Sequence, residues 1–160
     1  MENYYTITVF TENTPGVLYR IADLFLRRKI NIESLTVSEV KNEEQSRFTI
    51  VVHAEEALVE KIVKQLYKII EVIKVIDNTD EELIIREISL IRVCAKNLES
   101  RKEIEQFTKF REAKIIEIRK DYMTIQIIGT EKQINSFYDL LKQFGIKEFI
   151  RSGRIVLFNN

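Results

Sequence analysis

The stretch Glu12-Asn13-Thr14-Pro15-Gly16-Val17-Leu18 decides how the first part of the chain is read. It joins an apolar run with β-strand character, Tyr4 to Phe10, to a strongly periodic run from Val17 to about Arg28. The first run alternates in the manner of a strand, and the second repeats apolar residues at helical spacing. The stretch is therefore predicted to be a tight connection from a strand into a helix.

The composition of this turn suits the start of a helix. Pro15 is tolerated in a first helical turn because its φ is near helical and it has no N–H to leave unpaired. Asn13 or Thr14 is expected to cap the helix, and Gly16 leaves the backbone open to close approach. The unpaired N–H groups and the positive end of the helix dipole favour an anion at this point.

Further along, the chain alternates between strands and helices. Ile30 and Ile32 have one parity while Leu35 and Val37 have the other, so a bulge near Glu33-Ser34 is predicted in the second strand. The complete order over residues 1–77 is β-α-β-β-α-β, which predicts a ferredoxin-like α+β domain. In this fold the second strand lies at a sheet edge, where pairing with a second chain protects it from aggregation.

The pattern repeats after a polar linker at residues 78–83. Residues 84–160 give the same order of elements, and their last helix is expected to be capped by Thr130 and ended by Gly145. The sequence therefore predicts two ferredoxin-like domains in tandem with a period of about 80 residues. The second copy has Lys96-Asn97-Leu98-Glu99-Ser100 where the first has its turn. It offers no glycine there, and Glu99 would repel an anion, so only the first copy is expected to bind one.

Composition excludes several classes of function. The 25 basic and 25 acidic residues cancel, which leaves no electrostatic footprint for nucleic acid. No apolar run reaches the ~18–20 residues of a membrane span, and the first residues lack the parts of a signal peptide. One cysteine, Cys94, excludes an intrachain disulfide and fits a reducing cytoplasm. His53 is the only histidine and has no partner in the sequence that would indicate a metal site.

Specific strings in the sequence match a known family. Glu12-Asn13-x-x-Gly16-x-Leu18-x-Arg20, followed by Asn31-Ile32-Glu33-Ser34-Leu35-Thr36-Val37, resembles the small regulatory subunit of acetolactate synthase. Ser46-Arg47-Phe48-Thr49-Ile50, Arg86-Glu87-Ile88-x-Leu90 and Arg151-Ser152-Gly153 extend the resemblance along the chain. The first domain looks like an ACT domain, a module that binds amino acids. The family usually has glycine and an aromatic residue where this chain has Lys29 and Ile30.

The resemblance implies a chain without a catalytic site of its own. By this likeness, it activates a catalytic subunit that carries thiamine diphosphate, FAD and magnesium, and it conveys feedback inhibition by valine or another branched-chain amino acid. The effector contacts would be Asn13, Gly16, Val17 and Leu18 of one chain, with Asn31 and Ile32 of a neighbouring chain in a homodimer.

The chemistry of these residues agrees with such an effector. N–H groups at the turn can donate to its carboxylate, and the amide oxygens of Asn13 and Asn31 can accept from its ammonium. Leu18 and Ile32 can contact its apolar branch. No titratable residue is required, which suits a sensor better than a catalyst.

Three other functions were weighed against this one. An acylphosphatase-like hydrolase would use Gly16, Arg20 and Asn31, but the turn lacks the additional glycines of a phosphate cradle. An RNA-binding sheet would need exposed aromatic residues and basic charge. A stand-alone ACT regulator of another enzyme stays open at this stage.

Overall fold

The structure is a computed structural model that describes residues 2–41, 43–79 and 83–159. The chain divides into two compact units, one comprising residues up to Ile84 together with those from Arg154 onward, and the other Ile85–Gly153. The predicted turn residue Asn42 and the middle of the predicted linker, Asp80 to Glu82, lie outside the described residues. Among the residues described, no helix has the length and apolarity that crossing a membrane requires.

The first unit has the predicted order of strands and helices. Its elements are β1 (Glu2–Glu12), α1 (Val17–Arg27), β2 (Ser34–Glu39), β3 (Gln45–Glu55), α2 (Glu56–Leu66) and β4 (Val72–Thr79). The strands form an antiparallel sheet in the order β2-β3-β1-β4, which confirms the ferredoxin-like prediction.

The core of this unit lies between one face of the sheet and the two helices. Alternate residues of β1 and β3 face the helices, among them the buried Ile7, Val9, Ile50 and Val52. The α1 helix contributes buried side chains spaced like one helical face, which are Val17, Ile21, Leu24 and Phe25. The α2 helix ends at Leu66, and Ile70, which lies beyond it, is 94% exposed.

The predicted bulge in the second strand is wrong. β2 begins only at Ser34, and its pairing with β3 continues without a shift in register to Glu39. Ile30 and Ile32 precede the strand and pack against the core from the connecting loop. The change of parity therefore arises because the chain joins the sheet late, and not because a residue is inserted into the ladder.

The second unit repeats the topology. Its elements are β5 (Leu83–Cys94), α3 (Leu98–Phe110), β6 (Lys114–Ile118), β7 (Tyr122–Gly129), α4 (Glu131–Leu141), a short 3-10 helix (Lys142–Phe144) and β8 (Ile146–Arg151). The strand order β6-β7-β5-β8 is equivalent to that of the first sheet, which confirms the tandem arrangement. Thr130 caps α4, and Gly145, with φ +91°, follows the 3-10 helix, as the sequence predicted.

The last strand, β9 (Ile155–Phe158), pairs with β5, and the residues from Arg154 onward group with the first compact unit. The Arg47 guanidinium donates to the Val156 carbonyl at 2.7 Å and lies between the rings of Phe10 and Phe158. Arg154 donates to the Thr6 hydroxyl at 3.4 Å. The chain end is thus attached to the face of the first sheet that is turned away from the helices.

Candidate functional site

The turn between β1 and α1 has a left-handed residue at its centre. Gly16 is the N-cap of α1, with φ 90° and ψ −9°, and its carbonyl accepts the first helical hydrogen bond from the Arg20 N–H at 3.1 Å. A side chain is strained at such a φ, which explains the glycine. The helix begins at Val17, as predicted, so Pro15 lies before the first turn rather than within it.

No side chain caps α1, so the expected capping by Asn13 or Thr14 is wrong. The helix also has no acidic residue in its first turn. The two helices of the second unit differ, because Asn97 accepts from the Ser100 N–H and Thr130 forms a capping box with Gln133. The start of α1 therefore keeps the N–H groups and the positive dipole end that an anion can use.

Asn13 is held in place from two sides. Its N–H donates to the Glu44 carbonyl at 3.0 Å, and its Oδ1 accepts from the Ser46 hydroxyl at 2.9 Å. Ser46 is buried, whereas Asn13 is exposed. Ser46 was not predicted as part of the site, although the register that places it opposite Thr11 brings it beside the turn. Its hydrogen bond orients the Asn13 amide before any ligand arrives.

Val17 and Leu18 contribute different groups. The Val17 side chain is only 2% exposed and belongs to the core, so only its backbone can contact a ligand. Leu18 is 46% exposed and can form an apolar wall. The four predicted residues of the turn are therefore brought together, with backbone N–H groups and one apolar side chain facing outward.

Arg20 adds a positive charge beside the turn. Its Nη2 lies 3.8 Å from the position that a Cβ on Gly16 would take. The guanidinium forms an ion pair with Glu71, which leads from α2 into β4. An acylphosphatase-like site would need this arginine for its phosphate, and here a carboxylate of the same chain occupies it.

An acidic cleft opens on the other side of the turn. It has a volume of about 700 Å³ and is lined by Asn13, Thr14 and Gln45, by Ile73, and by the carboxylates of Glu12, Glu39 and Glu44. Negative groups there favour an ammonium, while the helix start favours a carboxylate. The two sides of the turn thus match the two charges of a free amino acid.

Asn31 and Ile32 lie at the far end of the same helix. Asn31 is exposed and its Nδ2 donates to Glu33 Oε1 at 2.9 Å, while Ile32 is half-buried against the core. The 11 residues of α1 place them about 16 Å from Gly16 at 1.5 Å per residue. One small ligand cannot contact the turn and Asn31 of the same chain, so the structure does not bring the six predicted residues together within one chain.

The edge strand β2 carries partly exposed apolar side chains on the same face of the sheet as the core. Leu35 and Val37 pair with Ile50 and Phe48 and are 38% and 43% exposed. Because β2 pairs with β3 alone in this sheet, its outer edge is open to another strand.

The residues around Arg47 were also missed by the sequence analysis. Partial burial lowers the pKa of the Arg47 guanidinium from its ordinary value, and its Nε has no hydrogen-bond partner among the described residues. Arg47 directly follows Ser46, so the arginine that holds β9 is a neighbour of the serine that holds Asn13. The described residues contain no group of three or more His, Cys, Asp or Glu side chains that could hold a metal ion.

Comparisons with known protein families cover both units. A family model described as the small subunit of acetolactate synthase matches residues 86–159. A second model matches residues 7–74 and describes an ACT domain like that of the small subunit of acetohydroxyacid synthase (AHAS), which is another name for acetolactate synthase.

Individual relatives and a solved structure agree with these matches. A probable acetolactate synthase small subunit from Archaeoglobus fulgidus is 45% identical over 96% of this chain and 95% of its own length. An acetolactate synthase small subunit from Mycobacterium bovis is 40% identical over 96% of this chain and 90% of its own. The crystal structure of the small subunit from Thermotoga maritima has a TM-score of 0.89 at 32% identity, covering 99% of this chain and 98% of that one. This chain therefore belongs to the family of acetolactate synthase small subunits, as its sequence motifs indicated.

Proposed function

We propose that this chain activates the catalytic subunit of acetolactate synthase and conveys feedback inhibition by a branched-chain amino acid, with valine as the first candidate. Membership of the small-subunit family implies a regulatory role beside a catalytic partner. The observation that carries the finer proposal is the uncapped start of α1 at Gly16, between a helix dipole and an acidic cleft.

The effector would bind where the cleft at Asn13 adjoins the start of α1, because its carboxylate and its ammonium are attached to the same carbon atom. Its carboxylate accepts from the N–H groups of Gly16, Val17 and Leu18, close to the Arg20 guanidinium. Its ammonium points toward the amide oxygen of Asn13 and the carboxylates of the cleft. Hydrogen bonds to charged groups contribute about 1.5–3 kcal/mol each.

The apolar branch of the effector would be enclosed by a second chain. Within one chain Asn31 and Ile32 lie about 16 Å from the turn, the length of the 11-residue helix, so they can complete the site only for a neighbour. Pairing of two β2 strands with their exposed Leu35 and Val37 gives a homodimer with a shared site. Each homodimer would then hold two equivalent effector sites.

The two units would have different roles in regulation. The second unit has Asn97 as a side-chain cap and Glu99 in the first turn of α3, where the first unit has its bare turn. We assign sensing to the first unit and assign activation of the catalytic subunit mainly to residues 84–160. Thiamine diphosphate, FAD and magnesium are expected on the catalytic partner, with the complex in the cytoplasm.

Calorimetric titration of the purified chain with valine, leucine and isoleucine tests the sensing proposal. We expect saturable binding of at least one of them, at one site per chain, and loss of that binding in Asn13→Ala. The absence of heat with all three, together with an uninhibited reconstituted complex, would contradict it.

A separate experiment tests whether sensing and activation belong to different units. A truncated chain ending at Asn78 should bind the effector but fail to activate the catalytic subunit fully. The truncation also removes β9, which contacts Arg47, so Phe158→Ala in the full chain serves as the control for that lost contact. Full activation by the truncated chain would refute the assignment of activation to residues 84–160.

A further inference from the structure

The second unit contains a cleft that lies outside the proposed effector site. Its volume is about 460 Å³, within the roughly 300–1,000 Å³ of sites for small molecules. The end of α3, the end of β7, the first turn of α4 and one residue of β5 surround it. The lining residues are Arg86, Phe110, Arg111, Glu112, Ile127, Ile128 and Gln133.

Two guanidinium groups give this cleft its charge. Neither Arg86 nor Arg111 forms an ion pair with any carboxylate in the described parts of the chain, unlike Arg92, Arg119 and Arg151 of the same unit. Arg86 donates to the Ile85 carbonyl at 2.8 Å. The lining has two cations and one carboxylate, Glu112, and is therefore complementary to a monoanion.

Arg111 is held in position before any ligand arrives. Its Nη2 donates to the Ser136 hydroxyl at 3.0 Å, and its guanidinium lies 5.7 Å from the centre of the Phe110 ring. Its Nε is buried without a hydrogen-bond partner among the described residues. A guanidinium that is fixed and incompletely paired is suited to a carboxylate, whose two oxygens match its planar fork.

The remaining walls are apolar. Phe110 is 79% exposed, Ile128 is exposed at the end of β7, and Ile127 is buried in the core of the unit. The N–H groups at the start of α4 are served by the Thr130–Gln133 capping box, so the arginines and not the helix supply the positive charge. An inorganic anion would leave the apolar wall uncovered, whereas an organic acid would bury part of it.

We propose that this cleft binds a small monocarboxylic acid, with the carboxylate on Arg86 and Arg111 and an apolar or aromatic body against Phe110. The site lies on the unit that lacks the effector turn, and it does not depend on the effector proposal. It gives the second unit a ligand of its own.

The test is an NMR titration of the ¹⁵N-labelled full chain with benzoate, benzyl alcohol and inorganic phosphate. We expect saturable shifts of the Ile128 and Gln133 amides with benzoate at a Kd of about 1 mM, and binding at least about tenfold weaker for the alcohol and for phosphate. Amides of Asn13 and Gly16 report any binding to the first unit separately.

Variants identify the charges responsible. Arg111→Gln and Arg86→Gln should each weaken benzoate binding by about tenfold, while Arg119→Gln, an exposed arginine paired with Glu117, should leave it unchanged. Arg86→Gln keeps the test valid if loss of the Ser136 contact unfolds the Arg111 variant. The absence of saturable shifts, equal binding by Arg86→Gln and the unaltered chain, or phosphate binding as tight as benzoate would each overturn the proposal.

Discussion

Placing a carboxylate at Gly16 should abolish the response to the effector while the complex stays assembled. The substitution Gly16→Asp puts an anion next to the N–H groups that we assign to the effector carboxylate. Because φ is +90°, any side chain there carries backbone strain, about 1–2 kcal/mol for a left-handed residue. Gly16→Asn has nearly the same shape and the same strain but no charge, and it is therefore the matched control.

The charge effect can be worked out from the site. Two carboxylates about 5 Å apart repel by about 1 kcal/mol in a water-like medium and by about 3 kcal/mol at an effective dielectric constant of 20. Arg20, with its Nη2 3.8 Å from the new Cβ, offsets part of this because an exposed ion pair contributes about 0–1 kcal/mol. At the effective dielectric constant of 20, which suits a partly buried site, the net cost is about 2–3 kcal/mol, a loss of effector affinity of at least about tenfold. Gly16→Asn should lose only a few-fold, since the space beside Gly16 is otherwise open.

The assay is a valine dose–response curve on the complex reconstituted with the catalytic subunit, with calorimetry on the isolated chain. The Asp variant should activate the catalytic subunit normally and resist valine, and the Asn variant should stay sensitive. Unchanged inhibition of an intact Gly16→Asp complex would place the effector elsewhere. Equal resistance of the two variants would show that shape and strain, rather than charge, account for the loss.

Three further predictions concern the partner of Asn13, the attachment of β9 and the open edge of β2. Ser46→Ala removes the hydrogen bond to Asn13 Oδ1 and should weaken valine binding by about 0.5–1.5 kcal/mol in calorimetry, with activation retained. Phe158→Ala removes one ring from the Arg47 guanidinium and should lower the free energy of unfolding by about 1–2 kcal/mol in urea, whereas Leu157→Ala, which is exposed, should not. Leu35→Asp at the open edge of β2 should convert the dimer to a folded monomer in sedimentation and abolish valine binding, and a monomeric unaltered chain would contradict the shared site.

Much of the fold followed from local patterns in the sequence. The start of α1 at Val17 and the capping of α4 by Thr130 depend on neighbours in the chain, and both were predicted correctly. The tandem repeat was equally visible, because in each copy the apolar residues recur with the 2-residue period of strands and the 3.6-residue period of helices in the same order.

Except for the expected capping of α1 by Asn13 or Thr14, the errors concern groups whose partners are distant in sequence. Whether Ile30 and Ile32 lie in a strand depends on where the chain joins β3, which periodicity alone cannot fix. Ser46 meets Asn13 only through the register of β1 and β3. The attachment of β9 to Arg47 joins residues 109 positions apart, and no local pattern encodes that contact.

The same limit applies to the effector site. The turn was identified as a candidate anion site because it is one contiguous stretch, with a glycine, that leads from a strand into a helix, and the family resemblance assigned the effector to it. Asn31 and Ile32 came from the family resemblance, and the helix that separates them from the turn explains why a single chain cannot unite them. Their contribution to binding stays a prediction.

Mixing two defective chains tests most directly whether the effector site is shared between chains. One chain carries Gly16→Asp and the other Asn31→Ala, and mixed dimers are isolated with two different affinity tags. A shared site predicts that neither parent dimer binds valine well, whereas the mixed dimer regains one intact site made of the unaltered turn of one chain and the unaltered Asn31 of the other. Calorimetry should then show one valine per mixed dimer at the affinity of the unaltered protein. Binding by the mixed dimer that is no stronger than that of either parent would contradict the shared site.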